Sequence, residues 1–266
     1  MKILCLGDIV GKKGIFYAKQ NILKLKEKEN FEAYVINIEN SAESGKGPCE
    51  EACKEFENLG APSVYTGGNH SFSNKNFFDK YSSYKNCLRP CNFPKEAPGS
   101  GYFITILENG RKMAVINVQL RTFMRENLSC PFRAVESIIT VLKNTYKDSI
   151  IIIDVHGETT AEKITFANYF DGKVSAIFGT HTHVQTNDAR ILKNGTAYIT
   201  DLGMTGALNS SLGVKFEGTT YNFITQLPTK FVIEDKPPFI SSGIILEFNE
   251  KSSFPISIKT VNEIFD

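Results

Sequence analysis

The chain has no tryptophan, only four histidines and almost no net charge: 30 basic against 29 acidic residues over 266 positions leave +1. That balance gives no reason to expect the broad basic face of a nucleic-acid-binding or membrane-surface protein. Neither a membrane nor a nucleic acid is therefore an expected partner, although a local site for one or two phosphates stays open. No apolar run approaches the roughly 20 residues of a membrane span. The opening stretch MKILCLGDIVGKKG has an apolar run of about six residues, far short of a signal-peptide core. A cytoplasmic location is expected. No repeat, low-complexity segment or Pro/Gly/Ser linker divides the chain, so residues 1–266 are expected to form a single domain. The absence of tryptophan carries no chemical meaning.

Two further patterns are missing. The six cysteines are Cys5, Cys49, Cys53, Cys87, Cys91 and Cys130. The pairs Cys49/Cys53 and Cys87/Cys91 lack the tighter C-x2-C knuckles of structural zinc sites, so all six read as free thiols, buried or incidental. The glycine-rich stretches 7–14 and 45–47 do not fit G-x-x-x-x-G-K-[ST], which excludes an ATP-binding P-loop. Gly11 and Gly14 instead suggest a tight backbone turn beside Asp8.

What is present is an alternation of apolar runs and amphipathic stretches. KILCLG (2–7), YVINI (34–38) and PSVYTG (62–67) read as strands, with helices at 15–28 and 50–59 between them. Their spacing is that of βαβ units, which implies parallel strands. YFITIL (102–107) and KMAVINVQ (112–119) flank a Glu-Asn-Gly turn and read as a hairpin. A helix at 133–146, a strand at 149–156, a helix at 160–170, a strand at 174–178 and a hairpin at 189–199 follow. KFVIE (230–234), GIILEF (243–248) and PISIKTV (255–261) read as strands, and residues 203–228 as a long Gly/Thr/Ser-rich functional loop. The expected class is α/β, with two mixed sheets face to face and helices outside.

Five strand ends carry polar clusters: Gly7-Asp8, Glu39-Asn40, Gly67-Gly68-Asn69-His70, Asp154-Val155-His156-Gly157-Glu158 and Gly179-Thr180-His181-Thr182-His183. Ligand sites in open α/β sheets form beyond the carboxyl ends of strands. His181 and His183 are two apart, so in an extended segment both rings project to one side. Alone, each cluster reads as a turn, a cap or a hydrogen-bonded core histidine. Together they take up all four histidines of the chain, which points to metal. Mixed N/O donors without thiolate favour manganese, iron or zinc over a closed structural zinc site.

The set GD…EN…GNH…H…GTHTH resembles the calcineurin-like metallophosphoesterases, and more narrowly the bacterial YmdB-type cyclic nucleotide phosphodiesterases. The matching stretches are GDIVG (7–11), IENSAESGKG (38–47), GGNHSF (67–72), LRPCNFP (88–94), IDVHGETTAEK (153–163), GTHTHVQTND (179–188) and AYITDLGMTG (197–206). The resemblance implies a four-layer α-β-β-α sandwich. It also implies a dinuclear centre of iron or manganese, with Asp8, Glu39, Asn40 and His183 on one ion. Glu39 would bridge to the other, completed by Asn69, His156 and His181. His70 is implied to stand near the phosphate as a catalytic acid rather than a ligand. The implied reaction is hydrolysis of a small-molecule phosphodiester, a 2′,3′- or 3′,5′-cyclic nucleotide, by a metal-activated hydroxide. A phosphomonoesterase or nucleotidase on the same metals, and a weakly active nucleotide-binding regulator, are the alternatives. Tyr65, Phe72 and the 203–228 segment are candidates for contacting a base. Three positions depart from the family pattern: Phe72-Ser73 replaces a Trp-Asp pair, Leu120 a glycine and Gly157 an alanine.

Overall fold

A strand such as Ile150–His156, with four consecutive isoleucines, is stable only when both of its faces are covered. The computed structural model, which describes residues 1–250 and 252–266, covers them with four layers. In chain order the strands are β1 (Lys2–Leu6), β2 (Asp8–Ile9), β3 (Ala33–Asn37), β4 (Ser63–Thr66), β5 (Tyr102–Ile106), β6 (Lys112–Gln119), β7 (Ile150–His156), β8 (Ala176–Thr180), β9 (Arg190–Ile191), β10 (Ala197–Ile199), β11 (Met204–Ala207), β12 (Phe239–Phe248) and β13 (Pro255–Phe265). The α-helices are α1 (Gly11–Lys26), α2 (Glu50–Glu57), α3 (Pro131–Thr145), α4 (Thr160–Phe170) and α5 (Phe216–Thr225).

One sheet runs β2-β11-β12-β1-β3-β4 with β13 paired to β12; the other runs β5-β6-β7-β8-β10-β9. Strands β1, β3 and β4 are parallel, as are β6, β7 and β8. Both sheets are mixed. Alternate residues of each strand serve different layers. Leu4, Leu6, Tyr34 and Ile36 face α1 and α2, whereas Ile3, Cys5, Ala33 and Val35 meet Val115, Ile150, Ile152 and Phe178 between the sheets. Ile151, Ile153, Val155 and Ile177 pack under α3 and α4. The result is the expected α-β-β-α sandwich.

The sequence pattern misplaces some elements. Helix α1 begins at Gly11 rather than at residue 15. A Cβ on Gly14 would stand 2.6 Å from the Thr205 carbonyl, so this glycine serves helix–strand approach and not a turn beside Asp8. Residues 203–228 are not one loop, because β11 completes the first sheet and α5 spans Phe216–Thr225. Its Thr and Gly content hid a short helix. KFVIE is not a strand: Val214 and Ile233 form an isolated antiparallel bridge. Tyr65 is a core aromatic and Phe72 a half-buried one packed against the core. Tyr65 is buried and donates its hydroxyl to the Cys53 carbonyl, and Phe72 packs among Phe78, Tyr81 and Phe93. Neither lines the cavities beside the candidate metal site.

The six thiols are all free. No helix among the described residues is long and apolar enough to cross a membrane.

Candidate metal centre

The carboxyl ends of the two sheets meet along one edge, and that edge collects the polar clusters. Asp8 opens β2, Glu39 and Asn40 follow β3, and Asn69 and His70 follow β4, all from the first sheet. His156 ends β7, and His181 and His183 follow β8, from the second. A buried network knits the two edges together. Asn37 Nδ2 donates to Asp154 Oδ2 at 3.0 Å and to Thr180 Oγ1 at 3.3 Å, and Asn117 exchanges two hydrogen bonds with the Gly67 backbone.

Four donor atoms converge at the centre of this edge. His156 Nε2 lies 2.9 Å from Asn69 Oδ1, 3.1 Å from His181 Nδ1 and 3.2 Å from Glu39 Oε1. His156 and Glu39 are 0% and 1% exposed. Gly68 permits this approach, since a Cβ there would fall 2.2 Å from Glu39 Oε2 and 2.3 Å from the His156 ring. Beside the cluster, His183 Nε2 stands 3.8 Å from Asp8 Oδ1, and the other Asp8 oxygen accepts the His181 backbone N–H at 3.1 Å. Asn40 and Glu39 line the same cavity of about 270 Å³ with His181 and His183. Four of the seven residues named from sequence as ligands line this cavity, and Asp8, His156 and, through His156, Asn69 contact them from behind it.

Each histidine is oriented by a partner on its other nitrogen. Thr180 Oγ1 donates to Asp154 Oδ1 at 2.6 Å and so accepts from His156 Nδ1 at 2.9 Å, which leaves the His156 Nε2 lone pair facing the cluster. His183 Nδ1 donates to the Leu212 carbonyl at 2.9 Å, and His181 Nε2 faces Glu158 Oε2 at 3.1 Å. Burial lowers the affinity of all three rings for a proton: His156 well below its ordinary value, His181 to about 4, and His183 below its ordinary value. Neutral imidazoles with lone pairs aimed inward are the form that binds metal.

The acids show the complementary signature. Burial, then the neighbouring Glu39, pushes the Asp8 carboxyl well above the carboxylate range; burial raises Glu39 as well. Asp8 Oδ1 and Asn40 Oδ1 are buried without a hydrogen-bond partner. Unsatisfied buried oxygens are rare in folded proteins and call for an ion or water. Crowded acids, orphaned oxygens and neutral imidazoles together fit cations, and Glu39, His156 and His181 can each give one donor atom within 4.8 Å of the others.

His70 lies at the rim rather than in this cluster. Its backbone N–H donates to Glu39 Oε2 at 3.2 Å and its ring Nδ1 stands 3.2 Å from Ser73 Oγ.

Sequence reasoning assigned no role to several supporting groups. Lys163, 1% exposed, donates to the Thr180 carbonyl and to Asp201 Oδ2, both at 2.8 Å. Asp201 also accepts from Thr182 N at 3.1 Å and Gly203 N at 2.9 Å. This pair holds the His181–His183 segment, in which both histidines take positive φ (103° and 63°). Asp154, raised by burial to about 7, ties Thr180, Thr66 and Asn37 together. Their signal was present in IDVHGETTAEK and ITDLGMTG, but a buried ion pair between them is a tertiary fact.

Two departures from the family pattern explain each other. A Cβ on Gly157 would stand 2.8 Å from Leu120 Cβ and 3.1 Å from its Cγ and Cδ1. The larger residue at 120 occupies the room that an alanine at 157 would need. Gly157→Ala is expected to destabilise by about 1–3 kcal/mol through overpacking. In a Leu120→Gly background the same change should cost less, and a double-mutant cycle by denaturant unfolding reads the coupling. Equal costs in both backgrounds would refute the steric account.

A four-layer sandwich with histidines, acids and amides at the joined strand ends defines the metallophosphoesterase class of architecture. Residues 4–261 match the family described as YmdB-like protein, and the chain belongs to that family. It is 41% identical over 263 residues to the 2′,3′-cyclic-nucleotide 2′-phosphodiesterase of Bacillus subtilis, an alignment covering 98% of this chain and 96% of that one. Among solved structures it resembles a novel phosphatase from Mycoplasma pneumoniae, with TM-score 0.90, 29% identity and coverage of 100% and 94%. A hypothetical protein from Thermus thermophilus superposes with TM-score 0.89 and 29% identity over the full length of both chains.

Proposed function

We propose that this chain, acting as one domain over residues 1–266, is a metal-dependent phosphodiesterase that opens 2′,3′-cyclic ribonucleotide phosphates. The observation that carries the reading is the convergence of Glu39, Asn69 and His181 donor atoms on His156 Nε2, beside Asp8 and His183. Asp8, Glu39, Asn40 and His183 would hold one cation, and Glu39, Asn69, His156 and His181 the other. The N/O donor set suits iron or manganese. Such ions supply Lewis-acid charge and a water of lowered pKa.

The chain's own residues do the rest. The neutral histidines stay available as ligands because burial keeps protons off them. In the net reaction a water oxygen bonds to phosphorus, the P–O2′ bond breaks and O2′ takes up a proton, leaving a 3′-phosphate and a free 2′-hydroxyl. His70, on the cavity wall outside the ligand cluster, would give that proton to the leaving oxygen. The likeness to the B. subtilis enzyme supports the 2′,3′-cyclic class.

The test is metal analysis of the purified protein with a hydrolysis panel of 2′,3′- and 3′,5′-cyclic nucleotides, mononucleotides and a bis-ester. The expected result is about two metal ions per chain. Turnover should be highest on the 2′,3′-cyclic compounds and abolished by chelation. His181→Ala should lose metal and turnover together. Faster cleavage of monoesters than of diesters would overturn the reading in favour of a phosphomonoesterase.

A further inference from the structure

The cavity at the metal centre is the inner end of a longer groove. It shares Asn40, His70, His183 and Leu212 with a second cavity of about 480 Å³. That cavity in turn shares Ser44, Lys230, Phe231 and Ile233 with a third of about 460 Å³, farther from the metal ligands. A cyclic mononucleotide with its phosphate at the candidate centre would extend toward the second cavity. The third shares no lining residue with the inner cavity.

The walls of the groove are set by pinned backbone. On one side Lys46 sits in the turn 42–47, closed by Ala42 N to Gly47 O at 3.0 Å and Gly45 N to Ala42 O at 2.8 Å. Asn40 Nδ2 donates to the Gly45 carbonyl at 2.9 Å, so this turn is anchored directly to a candidate ligand. On the other side the segment carrying Lys230 and Phe231 is tied to the 213–215 segment through Lys215 N to Val232 O at 2.8 Å and Glu234 N to Gly213 O at 2.9 Å. Ile233 lies over Gly11 and Gly45 and forms the apolar floor.

The chemistry of the groove is cationic and aromatic. Lys46 and Lys230 are exposed, and the salt bridges of the described residues leave both without a carboxylate partner. Glu43, at the far end, is paired with Lys12 at 3.7 Å. Phe231 is 45% exposed between the two outer cavities. Two free ammonium groups beside an open aromatic ring match one phosphodiester link and one base of a single strand. The near-zero net charge gives no reason to expect a broad nucleic-acid surface, and a groove for one strand end does not need one.

Resting on the phosphodiesterase reading above, we propose that the groove admits a short oligoribonucleotide ending in a 2′,3′-cyclic phosphate. Lys46 and Lys230 hold the first internucleotide phosphate and Phe231 stacks a base beyond the terminal nucleoside. Such ends arise when an RNA 2′-hydroxyl attacks its own 3′-phosphodiester, so the enzyme would act after RNA cleavage of that class.

The experiment compares kcat/KM for adenosine 2′,3′-cyclic phosphate with that for the dinucleotide ApA carrying the same cyclic end. Wild-type protein is expected to prefer the dinucleotide by about tenfold or more, the value of a charge-assisted phosphate contact. The preference should shrink with added salt and fall severalfold in Lys46→Gln, Lys230→Gln and Phe231→Ala. Equal kcat/KM for the two substrates would overturn the groove assignment and leave the cyclic phosphodiesterase reading standing. An unaltered preference in the Lys46→Gln/Lys230→Gln double variant would also overturn the assignment. Turnover of neither substrate would overturn both.

Discussion

His70→Ala is expected to lower kcat by about 10²–10⁴-fold while metal content stays at the wild-type level. The prediction follows from where His70 makes its contacts. Its backbone N–H, which alanine keeps, supports Glu39 Oε2, so the ligand shell is undisturbed by loss of the ring. His70 lines both the inner cavity and the start of the groove, and its Nδ1 is engaged with Ser73, which leaves Nε2 without a protein partner for the proposed proton transfer. A proton donor matters most when the leaving group is a poor one, as a ribose hydroxyl is. The loss should therefore be much smaller on a para-nitrophenyl diester, whose leaving oxygen needs no acid. Metal analysis and turnover on the two substrates check this together. Full turnover would remove His70 from the reaction, and loss of metal would make it a ligand.

The reason this residue could be singled out from sequence lies in strand-end chemistry. Strands buried on both faces are mostly apolar along their length, so the polar clusters at their ends, Asp8, Glu39, Asn69 and His181 among them, announce themselves. Periodicity also located most helices and strands, and the first parallel block with them, whereas the parallel pairing of β6, β7 and β8 was not read. Other features were not legible. Which strand end meets which depends on the apposition of two sheets, and periodicity within one strand says nothing of its neighbour across the core. The left-handed backbone at His181 and His183 leaves no trace in residue type, since such angles favour glycine. Helix α5 was hidden because its Thr, Gly and Asn content resembles a loop, and its exposed Phe223 and Ile224 give no buried stripe. Leu120 and Gly157 read as unrelated departures until the contact between them is seen.

Lys163→Met is expected to destabilise the metal-free protein by about 3–5 kcal/mol, because it leaves Asp201 charged, buried and without its cation. Both members of the pair are essentially without solvent access, so water cannot replace the lost partner. The effect reaches the metal centre through named bonds. Lys163 also holds the Thr180 carbonyl, and Asp201 holds Thr182 N, so the pair brackets the residues on either side of His181. Positive φ at a non-glycine residue costs about 1–3 kcal/mol and persists only where surroundings enforce it. Without Lys163 the segment is free to relax, and His181 and His183 lose their aim together. Metal affinity should then fall by about 10–100-fold, as for other groups that orient ligands. Adding Asp201→Asn to Lys163→Met removes the stranded charge while keeping a side-chain acceptor for the Thr182 or Gly203 N–H. It should restore part of the stability but not the metal affinity. Denaturant unfolding in chelator, which excludes stabilisation by bound metal, measures the first quantity, and metal titration the second. A loss below about 1 kcal/mol in the single variant would show that the pair does not clamp this segment.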